Sequence, residues 1–224
     1  MKKIVKIIYI IVISITIILS FNFVLNQFFL SKYNEKKYDE NMLDVIKYIN
    51  ISQPCVVYYN IANVKYQTGD YDGAIEEYKK ALKLFPTKHE DCDIRINLVL
   101  AMLKKIDVKN DKKEDILSVL YESLDILCEK GCANINDDNG HNKDAETLKE
   151  EILEFIDQLN KNSDSDNDND DDDKNKDKNF NDEQNSNVEE QLKQIEKKSV
   201  EERKYKLNSS KEFNNYSYYD GKKW

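Results

Sequence analysis

The feature that most constrains this chain is a long apolar segment near its amino terminus. No charged residue follows Lys6 until the segment ends. A helix rises about 1.5 Å per residue, so residues 4–25 span roughly 30 Å, the thickness of the hydrocarbon core of a bilayer. A cleaved signal peptide is the alternative, but it has a shorter apolar region and a small residue where Ile18 stands. The segment predicts a signal-anchor transmembrane helix within residues 1–30.

The charges flanking this segment predict its orientation. Lys2, Lys3 and Lys6 lie on the amino-terminal side, together with the terminal amine. The residues just beyond the segment carry lysines and carboxylates in equal number. Because positive charge is retained in the cytoplasm, we expect a cytoplasmic amino terminus and an extracytoplasmic carboxyl-terminal domain.

Composition favours an all-α fold and argues against several functions. The 224 residues include only 5 glycines and 2 prolines, the residues that punctuate turns and strands. A formal charge of −9 would repel a nucleic-acid backbone. Phosphate-binding and hydrolase motifs are absent, and the only histidines are His89 and His141. We therefore expect no nucleic acid, no cofactor and no enzymatic activity.

Residues 55–88 contain two amphipathic helical patterns that are separated by Gly69. Pro54 suits the first turn of the first helix, and Pro86 ends the second helix. Small residues let the two helices approach closely, and larger apolar residues fill the space between them. The small residues are Ala62, Ala74 and Ala81, and the larger ones are Tyr58, Ile61, Ile75, Tyr78 and Leu82.

These residues resemble the tetratricopeptide repeat, a helix–turn–helix unit of roughly 34 residues. Lys65 departs from the family pattern, which has Tyr at that position, and Tyr66 lies beside it. One repeat cannot bury both of its faces, so neighbouring helices must stack on it. We expect residues 31–161 to form a short array of about six helices. Ala62 is a second departure, since the family has Gly at that position. The positions that match the family pattern are Tyr58, Ala74, Tyr78, Ala81 and Pro86.

Further helical patterns lie on both sides of the repeat. Residues 34–49 predict an upstream helix, and residues 92–106 predict a downstream one. Asp111 and Glu114 have the spacing of an amino-terminal capping box, which predicts the start of another helix. A last amphipathic helix is predicted after Asn142.

The resemblance also implies a partner-binding surface, because the first helix of a tetratricopeptide unit lines its groove. Asn63 matches an Asn that holds a peptide carboxylate in some relatives. Tyr59 replaces the Lys that would accompany it, which argues against a carboxylate clamp. We expect an extended protein segment to bind a surface of tyrosine and amide groups. The candidate residues are Tyr59, Asn63, Tyr66 and Gln67, with Arg95 and Asn97 nearby.

All four cysteines lie in the predicted extracytoplasmic domain, where an even number suits disulfide formation. Three pairings are possible, and we favour Cys92 with Cys132. A zinc site is the alternative, although a Cys-x3-Cys spacing lacks the usual second close pair. The ligands of that site would be Cys128, Cys132, His89 and His141.

The loop over residues 134–144 is rich in Asn and Asp, the residue types that bind calcium. With Gly140 at the sixth position of an EF-hand loop, the first ligand would be Ile135, which offers no side-chain oxygen. We expect a helix-capping turn here, with calcium binding as the alternative.

The carboxyl-terminal part divides into a linker and a tail. Residues 162–187 are strongly acidic and nearly free of aliphatic residues, so we expect a disordered linker. Residues 188–224 begin with a short helical pattern and end at Trp224, the only tryptophan. Aromatic residues in a flexible tail are typical anchors for a partner, so Trp224 is a further candidate binding residue. A tail that folds back on its own array is the alternative.

Taken together, these features resemble one group of clostridial membrane proteins. The residues that add to the resemblance are the segment 92–98, the Gly131-Cys-Ala motif and the closing Gly-Lys-Lys-Trp. The group is similar to the Bat-type tetratricopeptide proteins encoded with von Willebrand A-domain and MoxR-type ATPase proteins. It implies a non-enzymatic membrane scaffold whose partner is an A-domain membrane protein. A structural envelope protein without a specific ligand, or a calcium- or zinc-binding module, is the alternative.

Overall fold

The computed structural model describes residues 2–35, 54–136, 140–164 and 186–199, and no strand occurs within these four ranges. The all-α prediction is confirmed. Residues up to Phe85 form one compact unit, and residues from Pro86 onward form a second. The helices are α1 (Lys2–Asn34), α2 (Pro54–Thr68), α3 (Tyr71–Leu82), α4 (Lys88–Lys104), α5 (Lys113–Cys128), α6 (Lys143–Asp164) and α7 (residues 186–199), with a 3-10 helix at Glu129–Gly131.

Helix α1 carries the apolar segment, and those of its large apolar side chains that the structure describes, between Ile4 and Phe28, are exposed. Ser14 and Thr16 each donate a hydrogen bond to the carbonyl oxygen four residues earlier, over 2.9 and 2.8 Å. Their hydroxyl groups are therefore satisfied without water, as an apolar surrounding requires. Among the described residues, the stretch Lys3–Phe21 is long and apolar enough to cross a membrane, a property that signal sequences share.

The turn between α2 and α3 forms where Gly69 was expected to place it. Gly69 has a φ of 86°, in the left-handed region that favours glycine. Asp70 N donates to Lys65 O over 2.9 Å and Gly69 N donates to Tyr66 O over 3.2 Å, the two hydrogen bonds of a Schellman motif. Asp70 then caps α3, since its Oδ1 accepts from Gly73 N over 3.0 Å. These local bonds end one helix and start the next.

The α2–α3 hairpin is packed as the small residues predict. Ala62, Ala74 and Ala81 are fully buried, which lets the two helices approach closely. Tyr78 is the largest buried side chain of α3. Lys65 Nζ lies 3.5 Å from the Glu77 carboxylate and adds an ion pair between the helices. Helix α2 begins at Pro54, as predicted.

Helix α4 opens the second unit with a capping box at Thr87 and Glu90. Glu90 N donates to Thr87 Oγ1 over 3.4 Å, and Thr87 N donates to Glu90 Oε2 over 2.9 Å. Both side chains thus satisfy main-chain donors at the start of the helix. The helix therefore begins at Lys88, four residues before the predicted start at Cys92.

The capping box predicted at Asp111 and Glu114 is wrong. The N-cap of α5 is Lys112, and it forms no side-chain capping bond. Asp111 Oδ2 instead accepts from Asp107 N over 2.7 Å and closes the preceding turn. An Asp side chain can accept a hydrogen bond either from the turn before it or from the helix after it, and Asp111 accepts from the turn.

Helices α4, α5 and α6 pack against one another and form the core of the second unit. Helix α6 ends at Asp164 and α7 begins at residue 186, so residues 165–185 of the predicted linker lie outside the described residues. The predicted helix over 34–49 also lies outside them from residue 36 onward. The largest fully buried side chains described in the second unit are Ile94, Ile96, Leu98, Ile116, Leu120, Leu127, Leu148, Ile152, Phe155 and Leu159.

Helix α7 belongs to this second unit and does not stand apart as a tail. Val188 and Ile195, seven residues apart on one face, are buried. Lys198 Nζ lies 2.8 Å from the Glu151 carboxylate of α6, and Lys104 of α4 forms an ion pair with Glu196. The helical pattern predicted from Val188 is present, and the structure adds its packing partners.

Phe85 offers a test of backbone strain. Its φ is 53° and its side chain is 96% exposed, so a bulky residue holds a left-handed conformation without packing in return. Such a residue costs on the order of 1–3 kcal/mol, and Asn tolerates the conformation better. We expect Phe85→Asn to raise the thermal unfolding temperature of the full chain in detergent, measured by circular dichroism. Phe85→Val keeps the strain and should not raise it; an equal rise in both variants would contradict this account.

Candidate partner-binding surface

Three of the candidate residues on α2 are accessible. Tyr59, Tyr66 and Gln67 lie at positions i, i+7 and i+8, which places them on one face of the helix. The two tyrosines are half-buried and Gln67 is exposed. We call these three residues the α2 stripe. The stripe presents two aromatic rims and one amide group.

Both tyrosine rings of the α2 stripe are held in place by rings of α3. The Tyr59 and Tyr78 ring centroids lie 6.0 Å apart at an interplanar angle of 50°. The Tyr66 and Tyr71 centroids lie 5.6 Å apart in an edge-to-face arrangement. Such ring pairs are favourable, and they restrict the rotation of both partners. Binding of a ligand to the stripe would therefore cost little side-chain entropy, because the two tyrosine rings are already ordered.

Asn63 lies on the same face, but the structure uses its side chain differently from the expectation. Asn63 is only 9% exposed, and its Oδ1 accepts a hydrogen bond of 2.6 Å from the Tyr78 hydroxyl. A buried hydroxyl without an acceptor costs about 1–3 kcal/mol, so this bond allows Tyr78 to enter the helix interface. Asn63 supports the surface from beneath.

Arg95 is likewise placed inside the protein. It is 3% exposed, forms ion pairs with Asp91 and Glu129, and donates from Nη1 to Ile126 O over 3.3 Å. Lys130 Nζ lies 3.6 Å from the Asp91 carboxylate and joins the same network. The network ties α4 to the end of α5. A partner protein therefore has no direct access to this guanidinium group.

The remaining candidates are Asn97 and Trp224. Asn97 is half-buried on α4, in the second unit, whereas the stripe belongs to the first. Trp224 lies outside the described residues.

The structure joins Cys92 to Cys132 by a disulfide, which is the pairing favoured from the sequence. Cys55 is buried in α2 and lies outside this bond. Cys128 is a half-buried thiol, and burial raises its pKa above the ordinary value of a cysteine. It is therefore protonated at neutral pH.

The loop that leads from Cys132 to His141 is closed by main-chain hydrogen bonds. His141 N donates to Gly131 O over 3.1 Å, and Asn142 N donates to Cys132 O over 3.0 Å. These two bonds close the base of the loop, and we call this pair of bonds the neck. Asn142 Oδ1 also accepts from Ala145 N over 3.1 Å, so the predicted helix-capping turn is confirmed.

Two buried charges hold the loop from beneath. Glu146 Oε1 accepts from Asn134 N over 2.9 Å and from Gly140 N. Lys149 Nζ donates to Asn134 O over 2.9 Å and lies 2.7 Å from the Glu146 carboxylate. A side chain at position 140 would collide with Glu146 and with the main chain of Cys132, so this close approach requires glycine.

The predicted zinc ligands are not brought together as a set. His89 is exposed on α4 and lies 3.6 Å from Asp93, away from the other candidates. The side chains that do meet in the described part of the chain are those of Cys92, Cys132 and His141, whose ligand atoms all lie within 4.8 Å of one another. Sequence spacing linked Cys132 with His141 but left out Cys92, which comes from a different element.

The second unit also contains a cleft of about 420 Å³ between the end of α4, the following loop and α7. Its apolar lining includes Leu103, Val108 and Leu192, and its rim carries lysines and glutamates. The cleft depends on the return of α7, which the sequence offered only as the alternative of a tail that folds back on its own array.

Comparison with known proteins identifies one part of the chain. Residues 56–88 match the family model described as tetratricopeptide repeat, which covers α2 and α3. Searches of the curated proteins and of the solved structures found no match to the chain. The match agrees with the repeat predicted over residues 55–88.

The role assigned to Asn63 can be tested through its donor. We expect Tyr78→Phe to lower the free energy of unfolding by about 1–3 kcal/mol, because it leaves the buried Asn63 oxygen without this hydrogen bond. Chemical denaturation of the purified chain measures the change. Tyr121→Phe on α5 is the matched control, since Tyr121 is exposed and its substitution should change stability by less than about 0.5 kcal/mol. Equal effects of the two substitutions would contradict the assignment.

Proposed function

We propose that this protein is a non-enzymatic, membrane-anchored adaptor that binds an extended segment of a partner protein along the α2 stripe. The observation that carries the proposal is the tetratricopeptide hairpin, with two braced tyrosines on the face of its first helix. Repeats of this class bind proteins through the surfaces that their stacked helices create. Tyrosine is also among the residues that dominate the binding energy of interfaces.

The charges around the stripe indicate what kind of segment it recognises. Lys65 is the single cationic residue of α2, and it lies next to Tyr66 of the stripe. Its Nζ lies 3.5 Å from the Glu77 carboxylate and 3.8 Å from the Asp70 carboxylate. Its charge is thus neutralised within the hairpin. Tyr59 in place of a clamp lysine, and the hydrogen bond of Asn63 to the buried Tyr78 hydroxyl, argue against a carboxylate clamp. We expect recognition through aromatic contact and through main-chain bonds to the Gln67 amide.

The anchor and the resemblance narrow the location and the partner. Helix α1 supports attachment to a membrane by its length and its exposed apolar side chains. Lys2, Lys3 and Lys6 favour a cytoplasmic amino terminus, so we place the repeat outside the cell membrane. We propose a von Willebrand A-domain membrane protein as the partner, on the resemblance to Bat-type proteins.

Photo-crosslinking in the native membrane tests the binding surface. A photoreactive amino acid at Gln67 should form an adduct with one partner, which mass spectrometry identifies. The same amino acid at Lys83, at the end of α3, is the positional control. In titrations against the soluble part of that partner, we expect Tyr59→Ala together with Tyr66→Ala to weaken binding at least about tenfold.

Tyr121→Ala on α5 should leave the affinity unchanged. Adducts that are equally strong from Gln67 and Lys83 would contradict binding at the stripe. Adducts from neither position would favour a structural envelope protein. A specific adduct with a protein that lacks an A-domain would retain the adaptor and reject this partner.

Reporter fusions test the orientation. Alkaline phosphatase fused after Trp224 should be active, because it folds only after export, and a green fluorescent protein at the same position should be dark. Replacing Lys2, Lys3 and Lys6 by Glu should lower phosphatase activity, since the positive flank is then lost. Strong fluorescence together with an inactive phosphatase in the unmodified chain would rule out an extracytoplasmic domain.

A further inference from the structure

A trio of metal-binding side chains converges at the base of the loop. Cys92 Sγ lies 3.1 Å from His141 Nε2, and the Cys132 sulfur completes a group whose ligand atoms lie within 4.8 Å of one another. Cys92 and Cys132 are fully buried, whereas His141 is exposed. Two sulfurs and an imidazole nitrogen are thus gathered at the edge of the core, with the imidazole on the solvent side.

Each member of the trio is held in place without any contribution from a metal. Cys92 lies on the second turn of α4, which its capping box starts at Lys88. The neck joins the main chain of His141 to Gly131 and that of Cys132 to Asn142, and its bonds do not involve the ligand atoms. The buried carboxylate of Glu146 keeps the loop in the same place. Ligands that are already oriented bind an ion with little loss of conformational freedom.

We propose that Cys92, Cys132 and His141 form a redox-gated site for one thiophilic divalent metal ion, of which Zn²⁺ is the example. In the oxidised protein the two sulfurs are bonded to each other, and no thiolate is available for an ion. In the reduced protein the two thiolates and His141 Nε2 become three ligands. The disulfide and the bound metal are therefore alternative states of one cluster.

The ligand atoms select the class of metal. Thiolate and imidazole ligands suit zinc and related transition metals, whereas calcium and magnesium require oxygen. A tetrahedral ion with Zn–S bonds of about 2.3 Å holds its two sulfurs roughly 3.7 Å apart. The Cα atoms of Cys92 and Cys132 are 5.5 Å apart, which permits that separation through side-chain rotation. The exposed side of His141 leaves a fourth position for water.

The exchange between the two states balances with a dithiol as the reductant. One thiolate of the dithiol attacks the Cys92–Cys132 disulfide and forms a mixed disulfide with one of the two cysteines. The second sulfur of the dithiol then attacks this mixed disulfide and releases the protein thiol. Both cysteines end as thiols, and the dithiol ends as a disulfide. The metal ion then displaces one proton from each thiol, so two protons leave for each ion bound.

Cobalt binding by the full chain in detergent micelles tests the proposal, because thiolate ligands give Co²⁺ an intense charge-transfer absorption. After reduction with a phosphine, which does not supply thiolates, we expect one equivalent of Co²⁺ with this absorption and its displacement by Zn²⁺. The oxidised chain should show none. We expect His141→Ala to weaken binding at least about tenfold, and Cys92→Ser to abolish the charge-transfer band.

Cys128→Ser is the matched control, since Cys128 lies close to Cys132 in the chain and is absent from the trio. It should bind cobalt as the wild type does. Because Cys92→Ser also removes the disulfide, circular dichroism of His141→Ala, which keeps both cysteines, separates loss of a ligand from loss of the fold.

Three results would overturn the proposal. One is an equal charge-transfer band in the oxidised chain or in the Cys92→Ser variant. Another is loss of the band in Cys128→Ser, which would move the site elsewhere. The third is the absence of a charge-transfer band in the reduced wild-type protein when the metal is added. This result counts whether the reduced protein stays helical or unfolds and does not regain its helices with the metal.

Discussion

The hydrogen bond from the Tyr78 hydroxyl to Asn63 is the interaction on which the repeat depends. Tyr78 fills the space between α2 and α3, where a phenolic hydroxyl must find an acceptor. Asn63 supplies that acceptor from the same helical face that carries Tyr59, and the Tyr59 ring rests against the Tyr78 ring. The core of the hairpin and its outer stripe are therefore parts of one cluster, so a change in packing is transmitted to the surface that a partner would contact.

Local signals predicted the fold well, because they act within a few residues. Gly69 supplies the positive φ that the Schellman turn requires, and the small residues at 62, 74 and 81 are those that a close helix pair needs. The errors arose where one residue type can serve two purposes. Asp111 has the spacing of a helix cap but closes the turn before the helix, whereas the Thr87–Glu90 box was overlooked.

The candidate site was harder to predict than the fold, since helical spacing identifies a face but not what covers it. Asn63 shares the face of Tyr59, and only the tertiary structure shows that Tyr78 occupies its oxygen. Arg95 is charged, which suggests the surface, yet Asp91 and Glu129 allow it to be buried. The loop over 134–144 is rich in Asn and Asp, but Glu146 and Lys149 of α6 make the hydrogen bonds that hold its described residues Asn134 and Gly140.

The position of the disulfide has a consequence for the order of assembly. Cys92 and Cys132 are separated by 40 residues, and a chain that emerges from its amino terminus presents Cys55 to Cys92 well before Cys132 arrives. A bond between Cys55 and Cys92 could therefore form before the Cys92–Cys132 bond. Burial of Cys55 within α2 prevents that bond once the hairpin has folded. A repeat that folds first, through its own local contacts, would therefore favour the Cys92–Cys132 bond in the domain that follows it.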